Sequence, residues 1–385
     1  MPLPAPDQLF GVYIHWPFCA RVCPYCDFNV YAAKSRDTSA LEAAILSDLK
    51  AHAKCTPNRK LTSLYFGGGT PSLCRPDFLK DVIELCETLW PSKVPIEITL
   101  ETNPEDVTPG ALNAWKAAGI NRLSLGVQAL NDEALKFLGR NHTRAQALTA
   151  IEAALSVFPN TTIDMIYARP GQSIEDWKGE LSEALGTGAP HISLYELTIK
   201  EKTAFAKQVE RERFIPLDDE AQADLYTETL SQCADAGLPA YEVSNHARSE
   251  AFWSRHNLTY WQSGEWLGIG PGAEGKINLD AGRTTTQAAR KVSDYIEAVE
   301  STGTGWADSF TLSGREAAEE ALILGLRSKM GVERAKLERL FGEPLNDVKL
   351  TSLKESGHLL EEDGRLKLTE EGWLLADYIS VELTP

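Results

Sequence analysis

The chain has 385 residues, of which 43% are apolar and 24% are charged, and this composition suits a folded protein with one large and one smaller domain. Its formal net charge of −17 argues against nucleic acid or an anionic membrane surface as a partner. No apolar run is long enough for a transmembrane segment, and no cationic leader precedes an apolar stretch, so we expect a cytoplasmic protein.

Strand-like and helix-like segments alternate from Gly11 to about Val243, with roughly one pair per 30 residues, as in βα units. This alternation predicts six parallel strands and an α/β fold, an open, partial (β/α)6 barrel of the TIM type. The predicted strands are 12–15, 61–66, 96–101, 122–126, 161–167 and 191–196. The predicted helices include 39–53, 77–89, 109–118, 144–157 and 174–185.

Three cysteines, Cys19, Cys23 and Cys26, follow the first predicted strand in C-x3-C-x2-C spacing. Three thiolates on one loop can bind three irons of a [4Fe-4S] cluster and leave the fourth iron open to a small molecule. A structural zinc site with His15 as fourth ligand is the alternative, although zinc ligands usually come as two separated pairs. Disulfides are less favoured because seven cysteines is an odd count.

Glycine-rich and polar motifs stand at the carboxyl ends of the next predicted strands, and these ends share one mouth in a parallel barrel. Residues 67–69 are glycines, which let the backbone approach a ligand where a Cβ would collide. Glu101 could pair with an ammonium group or a ribose hydroxyl, and Gln128 and Asp164 offer hydrogen bonds to a ribose. Arg140 could meet a carboxylate. Singly, each side chain could instead form a surface ion pair or cap a helix, but their common position favours a ligand site.

The chain changes character after residue 243. His256 stands in an aromatic-rich segment, where imidazole could ligate a haem iron and aromatic rings could cover a porphyrin, although such a histidine is usually a hydrogen-bonded core residue. Residues 310–385 show helical periodicity followed by two short strands about a turn. That order predicts a winged-helix-like module, and its acidic balance favours a lid or docking role over DNA binding.

The segment from Tyr13 to Cys26 resembles the signature of the radical S-adenosylmethionine (SAM) superfamily. Residues 65–72, 101–104 and 124–128 are similar to motifs of the oxygen-independent coproporphyrinogen III oxidase family, and the resemblance covers nearly the whole chain. Within that family the chain most resembles the HemW-type haem chaperones. Phe28 stands where the oxidases carry a further cysteine, and residues 256–261 match the chaperones' H-N-x-x-Y-W motif.

This resemblance implies a cluster, SAM and haem b as ligands. Cys19, Cys23 and Cys26 would bind the [4Fe-4S] cluster, and its fourth iron would bind the amino and carboxylate groups of SAM. The SAM pocket would be lined by Tyr13, Tyr25, Gly68, Gly69, Thr70, Glu101, Gln128, Arg140 and Asp164. Haem would lie against His256, Asn257, Tyr260 and Trp261, which reverses the core-histidine interpretation of His256. Ala168-Arg169 departs from the family's Gly-Leu, so an added Cβ and a cation near the ribose could alter SAM affinity.

The predicted domains are a barrel with the cluster and SAM (1–245), a connecting segment with the haem-associated motif (246–305) and a mostly helical, winged-helix-like domain (306–385). The predicted function is that of a haem chaperone, which transfers haem b to an apo-haemoprotein, for example of the respiratory chain. An electron donor is a second predicted partner, and no catalytic residue is assigned beyond the cluster and SAM. The alternatives are coproporphyrinogen III oxidation by a SAM-derived radical, which we do not expect, and SAM binding without cleavage.

Overall fold

The computed structural model describes residues 9–33 and 37–385. Its strands are β1 (Phe10–Trp16), β2 (Phe18–Cys19), β3 (Tyr31–Ala32), β4 (Ser63–Gly68), β5 (Glu97–Thr102), β6 (Arg122–Gln128), β7 (Thr161–Tyr167), β8 (His191–Glu196), β9 (Asn245–Ala247), β10 (Glu265–Ile269), β11 (Glu274–Leu279), β12 (Gly282–Ala288), β13 (Trp306–Thr311), β14 (Val332–Glu333), β15 (Leu359–Glu362) and β16 (Arg365–Leu368). Its helices are α1 (Ser39–Cys55), α2 (Pro76–Leu89), α3 (Pro109–Ala118), α4 (Asp132–Phe137), α5 (Arg144–Val157), α6 (Ile174–Gly186), α7 (Ala204–Glu210), α8 (Asp219–Asp235), α9 (Arg255–Trp261), α10 (Val292–Thr302), α11 (Gly314–Leu326), α12 (Arg334–Phe341), α13 (Asp347–Glu355), α14 (Glu370–Trp373) and α15 (Ala376–Leu383). Among these described helices, none has both the length and the apolar composition that are required to cross a bilayer.

One large sheet runs through the molecule in the order β13-β12-β11-β10-β1-β4-β5-β6-β7-β8-β9. The six predicted strands are β1 and β4 to β8, and each is a parallel neighbour of the next. The edge strands β9 and β13 of this sheet do not pair with each other, so the barrel is open. The predicted α/β fold with a partial parallel barrel is therefore confirmed.

Strand β10 is a feature that the sequence pattern did not predict. It pairs in parallel with β1 on the edge opposite β4, with Gly11 beside Trp266 on one side and Ser63 on the other. A buried strand needs a partner on each edge because unpaired backbone groups are costly to bury. The partner comes from residues 246–305, which also supply α9, α10, β11 and β12. The domain bounds at 245 and 305 stay predictions.

The two faces of β1 have different surroundings. Phe10 and Val12 pack into the apolar core between the sheet and helices α1 and α2. Tyr13 points to the opposite face, because successive side chains of a strand alternate. Its ring centroid lies 6.1 Å from that of Tyr65 and 6.3 Å from that of His256. The inside of the barrel thus contains aromatic and polar groups, whereas the side chains that face the helices form an apolar core.

The C-terminal residues form helices α11 to α15 and a small antiparallel sheet with the order β14-β16-β15. Helices followed by a small sheet agree with the winged-helix-like fold predicted for this part of the chain. Leu322 and Leu326 of α11 belong to the same apolar core as Leu225 of α8. The indole of Trp373 donates a hydrogen bond to the carbonyl of Leu326 at 3.2 Å. Helix α11 thus joins the module to the barrel.

The turn after β7 contains the Ala168-Arg169 departure. Ala168 is buried and has φ +55°, in the left-handed region where a Cβ is unfavourable. Arg169 is only 7% exposed and forms an ion pair with Glu180 of α6, whose carboxylate also accepts a hydrogen bond from the amide of Leu130. The cation is therefore held against α6.

We expect the Ala168→Gly variant to be more stable than the parent protein. Glycine relieves a left-handed strain of about 1–2 kcal/mol and costs about 0.5–1 kcal/mol in chain entropy, so the net gain is about 0.5–1 kcal/mol. Urea unfolding midpoints measure it. The matched control is Ala150→Gly in α5, which should lose about 1 kcal/mol. Equal losses at both positions would contradict the strain at Ala168.

Candidate functional site

A cavity of about 440 Å³, here called the strand-end cavity, opens at the carboxyl ends of the parallel strands. It is the place where ligand sites occur in barrels of this kind. Every predicted cluster ligand and every predicted SAM residue except Tyr13 lines it: Cys19, Cys23, Tyr25, Cys26, Gly68, Gly69, Thr70, Glu101, Gln128, Arg140 and Asp164. The fold thus brings together residues from five strands and three loops.

The cysteine loop is closed by its own two-stranded ladder. Strands β2 and β3 pair in parallel, with Phe18 beside Tyr31. Within the loop, the amide of Cys26 donates a hydrogen bond to the carbonyl of Cys23 at 3.2 Å. Cys19 is buried, whereas Cys23 and Cys26 are half-buried. The backbone therefore presents three thiols to one cavity.

The thiols disfavour one another's ionisation. Burial, with smaller contributions from the nearby Cys26 and Cys23, raises the pKa of Cys19 to about 11. The guanidinium of Arg140 donates a hydrogen bond to Sγ of Cys23 at 3.4 Å. A bound cation would favour all three thiolates, because metal ligation replaces the thiol protons.

The arrangement of the thiols distinguishes a cluster from a single ion. In the described residues, no three His, Cys, Asp or Glu side chains converge closely enough to hold one metal ion. A closed zinc site requires such convergence. In a [4Fe-4S] site with three cysteines, each thiolate binds a different iron, so the sulfurs surround the cluster at a wider spacing. The loop therefore suits an iron–sulfur cluster better than zinc.

The glycines after β4 are required by the packing of the chain on itself. Gly68 has φ +108°. A Cβ on Gly69 would lie 2.5 Å from the carbonyl oxygen of Phe18, which no real Cβ tolerates. The amide of Gly69 instead donates to the carbonyl of Trp16 at 2.7 Å, and that of Thr70 to Phe18 at 2.8 Å. Gly68 and Gly69 line the cavity, as predicted for a ligand cradle, whereas Gly67 does not. The closest contacts of Gly68 and Gly69 are with His15, Trp16 and Phe18, directly before the cysteine loop.

Two buried carboxyl groups face the strand-end cavity. Glu101 accepts hydrogen bonds from the hydroxyl of Tyr65 at 2.9 Å and from the amide of Gly68 at 3.1 Å. Burial raises its pKa to about 7, with a further contribution from Asp164. Asp164 accepts a hydrogen bond from Ser124 at 2.5 Å, and its second oxygen is buried without a hydrogen-bond partner in the described structure. These oxygens can accept hydrogen bonds from an ammonium or hydroxyl group of a ligand.

Arg140 connects the cysteine loop to the strand ends. Besides Cys23, its guanidinium donates to the side chain of Asn103 and to the carbonyl of Gly126, the latter at 3.0 Å. Gln128, at the end of β6, has φ +67° and lines the same cavity. Because these bonds occupy both terminal nitrogens of Arg140, its Nε is the donor that lacks a partner in the described structure.

Tyr13 does not line the strand-end cavity with the other predicted SAM residues. It lines a second cavity of about 670 Å³, here called the aromatic cavity, whose other lining residues include His15, Phe28, Tyr260, Trp261, Trp266, Lys276, Arg290, Ile323 and Leu324. The reason is its position on β1, since Tyr13 lies three residues before the last residue of that strand. Its hydroxyl is hydrogen-bonded to Nδ1 of His15 at 3.0 Å.

The predicted haem residues do not all line one cavity. Tyr260 and Trp261 line the aromatic cavity, whereas Asn257 is half-buried and outside the lining set. His256 is 1% exposed, and its ring nitrogens are hydrogen-bonded to the hydroxyls of Ser63 at 2.9 Å and Tyr260 at 2.7 Å. Burial lowers its pKa to about 3. This geometry is that of a hydrogen-bonded core histidine, and the assignment of the motif to haem stays a prediction.

The structure gives Arg169 a partner away from the strand-end cavity. Neither Ala168 nor Arg169 lines that cavity, and the guanidinium is directed to Glu180 instead. The effect of the departure on SAM affinity stays a prediction.

Comparison with known proteins agrees with this geometry. Residues 13–183 match the radical SAM superfamily, and residues 312–375 match the HemN C-terminal domain. The chain is 32% identical to the haem chaperone HemW of Bacillus subtilis, over 96% of this chain and 97% of that one. The chain belongs to the HemW family of radical SAM proteins. It is also 34% identical to radical S-adenosyl methionine domain-containing protein 1, mitochondrial, of Danio rerio, over 96% of this chain and 85% of that one.

A solved structure shows the same fold. Coproporphyrinogen III oxidase (HemN) from Escherichia coli superposes with a TM-score of 0.80 at 20% identity, over 99% of this chain and 91% of that chain. A radical SAM domain implies a [4Fe-4S] cluster and SAM. The three thiols that line one cavity, the oxygen of Asp164 without a partner in the described structure and the opening of the strand-end cavity suit both cofactors.

Several site residues were missed at the sequence level. Tyr65 supports Glu101, Asn103 orients Arg140, and Ser124 orients Asp164. All three stand in the strand-end motifs that carried the family resemblance, so position could have identified them. Tyr195 also lines the cavity from β8, and no motif marks it.

The raised pKa of Glu101 predicts a pH-dependent stability. Between its ordinary pKa near 4.5 and its folded value of about 7, the folded protein binds a proton that the unfolded chain has lost. The free energy of unfolding should therefore fall as pH rises from about 4.5 to about 7, by at most about 3 kcal/mol from this group. Glu101→Gln should remove that decrease. Parallel pH profiles of urea unfolding for the two proteins would contradict the assignment.

Proposed function

We propose that the protein binds haem b in the aromatic cavity and transfers it to an apo-haemoprotein, with a [4Fe-4S] cluster and SAM in the strand-end cavity. The observation that carries this proposal is the adjacency of the two cavities, which share Asp27 and Phe28 of the cysteine loop. Relatives named haem chaperone HemW support it, including that of Mycobacterium tuberculosis at 33% identity over 98% of this chain.

The aromatic cavity has the walls that a porphyrin requires. The rings of Tyr260 and Trp266 meet edge to face, with centroids 4.7 Å apart. Phe28, at 64% exposed, and Ile323, at 47% exposed, leave large apolar surfaces open to solvent at this cavity. A flat apolar ligand would cover both surfaces and so gain hydrophobic free energy.

Two cations at this cavity suit the propionates of haem. Lys276 on β11 stands beside Trp266 in the sheet and forms an ion pair with Glu320 of α11. Arg290 is exposed at the cavity rim and forms no ion pair with a described residue. A propionate can therefore pair with Arg290 directly, whereas at Lys276 it competes with a carboxylate.

The strand-end cavity would hold the cofactors. Cys19, Cys23 and Cys26 would bind the cluster, and Glu101 and Asp164 would accept hydrogen bonds from the amino group and ribose of SAM. When bound and reduced, the cluster and SAM supply a deoxyadenosyl radical. Tyr25 packs against Phe205 beside the thiols and excludes water from that side.

A third cavity, of about 560 Å³, supports an electron donor as a partner. It reaches Cys23 and Cys26 from outside the barrel and is lined by Arg21, Lys136 and Lys202, with no Asp or Glu. A local cationic surface on a chain of net charge −17 can orient an acidic protein. We propose that an acidic one-electron carrier approaches the cluster here.

We also propose a cytoplasmic location, because all seven cysteines are free thiols, as in a reducing compartment.

Cluster binding is tested by changing each loop cysteine to serine. Cys19→Ser, Cys23→Ser and Cys26→Ser should each lose most of the iron and inorganic sulfide after anaerobic reconstitution, because each thiolate anchors a separate iron. Cys55→Ser in α1 is the control and should keep both. Full iron retention by a loop variant, or stoichiometric zinc without sulfide, would refute the cluster.

Haem binding is tested by placing a charge at the aromatic cavity. Ile323→Glu should weaken haem binding at least tenfold, about 1.4 kcal/mol, because it buries a carboxylate against the porphyrin. The control is Val348→Glu on α13, which is 79% exposed and lies outside the cavity, and should bind like the parent. Titration of the Soret band measures both. No effect of Ile323→Glu would place haem elsewhere.

The two alternatives are separated by product analysis. Formation of protoporphyrinogen from coproporphyrinogen III, with SAM and a reductant under anaerobic conditions, would support the oxidase and contradict the chaperone proposal. Release of deoxyadenosine under reduction shows whether SAM is cleaved. Transfer of haem from the loaded protein to an apo-haemoprotein is the result that the chaperone proposal requires.

A further inference from the structure

Helix α9 places the two halves of the H-N-x-x-Y-W motif at different depths. Tyr260 and Trp261 line the aromatic cavity, and His256, one helical turn earlier, lies behind Tyr260 inside the barrel. The imidazole is stacked on the ring of Tyr65, with centroids 4.9 Å apart and planes at 25°. Both of its nitrogens are hydrogen-bonded, to Ser63 and to Tyr260. An iron in the aromatic cavity therefore cannot bind this imidazole unless the hydrogen bond at the ligating nitrogen breaks.

The phenol of Tyr260 is the group that His256 presents to the cavity. Its hydroxyl lies 2.7 Å from Nε2 of His256, a short distance that fixes the phenol oxygen. Its ring is held by the edge contact with Trp266, next to Lys276 in the sheet. An iron bound to this oxygen would lie between the aromatic walls, and the haem edge would be near a cation that suits a propionate.

We propose that Tyr260 is the axial ligand of ferric haem in the aromatic cavity and that His256 is the positioning residue that orients its phenol. The proposal rests on the haem-binding function proposed above. On binding, an Fe–O bond forms between the iron(III) and Oη, the O–H bond of Tyr260 breaks, and its proton is released to solvent. No electron is transferred. The neutral imidazole, with its proton on Nε2, then donates a hydrogen bond to the phenolate and accepts one at Nδ1 from the hydroxyl of Ser63, so every donor has an acceptor.

A phenolate suits a protein that must hold haem and release it. Tyrosine is an established haem ligand, and as a hard anionic oxygen donor it prefers iron(III) to softer states. When the iron leaves, a proton from solvent restores the neutral pair of Tyr260 and His256 that the structure shows. Tyr13 is the rival phenol in the same cavity, since its hydroxyl is hydrogen-bonded to His15. Tyr260 is favoured by its shorter bond and its place between the two tryptophans.

The test is the spectrum of the full-length protein titrated with ferric haem b. The parent should show the absorption and resonance Raman bands of an iron–phenolate bond. Tyr260→Phe should lose these bands and bind haem at least tenfold more weakly. His256→Gln should keep the bands with weaker binding, because it removes the positioning bond but leaves the ligand.

Two further variants make the result specific. Tyr241→Phe is the matched control, because Tyr241 is hydrogen-bonded through its hydroxyl to Nε2 of His191 at 2.8 Å but lies outside the cavity. It should keep the phenolate bands, and its loss of thermal stability should be similar to that of Tyr260→Phe. Tyr13→Phe should also keep the bands, and their loss in that variant would assign the ligand to Tyr13 and overturn the proposal.

The remaining outcomes separate this inference from the proposed function. If the parent binds no haem, the proposed function fails. If it binds haem but Tyr260→Phe keeps the parental ferric spectrum, only the ligand assignment fails. If His256→Gln loses an imidazole signature present in the parent, His256 is the ligand and the inference is wrong.

Discussion

Two backbone hydrogen bonds hold the chemistry of this protein in one place. The amides of Gly69 and Thr70, at the end of β4, donate to the carbonyls of Trp16 and Phe18, where the cysteine loop begins. They form only because Gly69 has no Cβ to collide with the Phe18 carbonyl. Without this contact the loop would not rest on the strand ends, and its thiols would not face the acceptors on β5 to β7. The glycine run therefore acts first on the fold and through it on the site.

The interior of the barrel connects the two cavities through a continuous row of contacts. Glu101 in the strand-end cavity accepts a bond from Tyr65, whose ring stacks on His256, whose imidazole is bonded to Tyr260 in the aromatic cavity. Buried polar groups must be paired, and here hydrogen bonds pair Glu101 with Tyr65 and His256 with Tyr260, while the stacked rings join the two pairs. The histidine of the α9 motif is thus central to the architecture although it faces neither cavity.

The aromatic cavity is a composite of three parts of the chain. The barrel contributes Tyr13 from β1, residues 246–305 contribute the aromatic wall and Lys276, and the C-terminal module contributes Ile323 and Leu324 from α11. Helix α11 exposes apolar surface at the place where the module meets the barrel. The opposite face of this helix packs into the barrel core through Leu322. A partial barrel alone would leave this site with one wall missing.

The sequence alone determined which segments form the strands and helices of the barrel and which chemical groups stand at the strand ends. Periodicity placed β1, β4 to β8 and their helices within a few residues of the observed bounds, because each strand is a short β-rich segment that is followed by a stretch of helical period. The C-x3-C-x2-C spacing named three ligands that do line one cavity, since a short loop cannot separate them. The partner of β1 on its second edge was beyond the sequence, because β10 lies about 250 residues further on and its register is fixed only by pairing. The directions of three side chains were likewise decided by tertiary structure: strand alternation directs Tyr13 into the barrel, a buried carboxylate on α6 binds Arg169, and two hydroxyl partners hold His256 behind Tyr260.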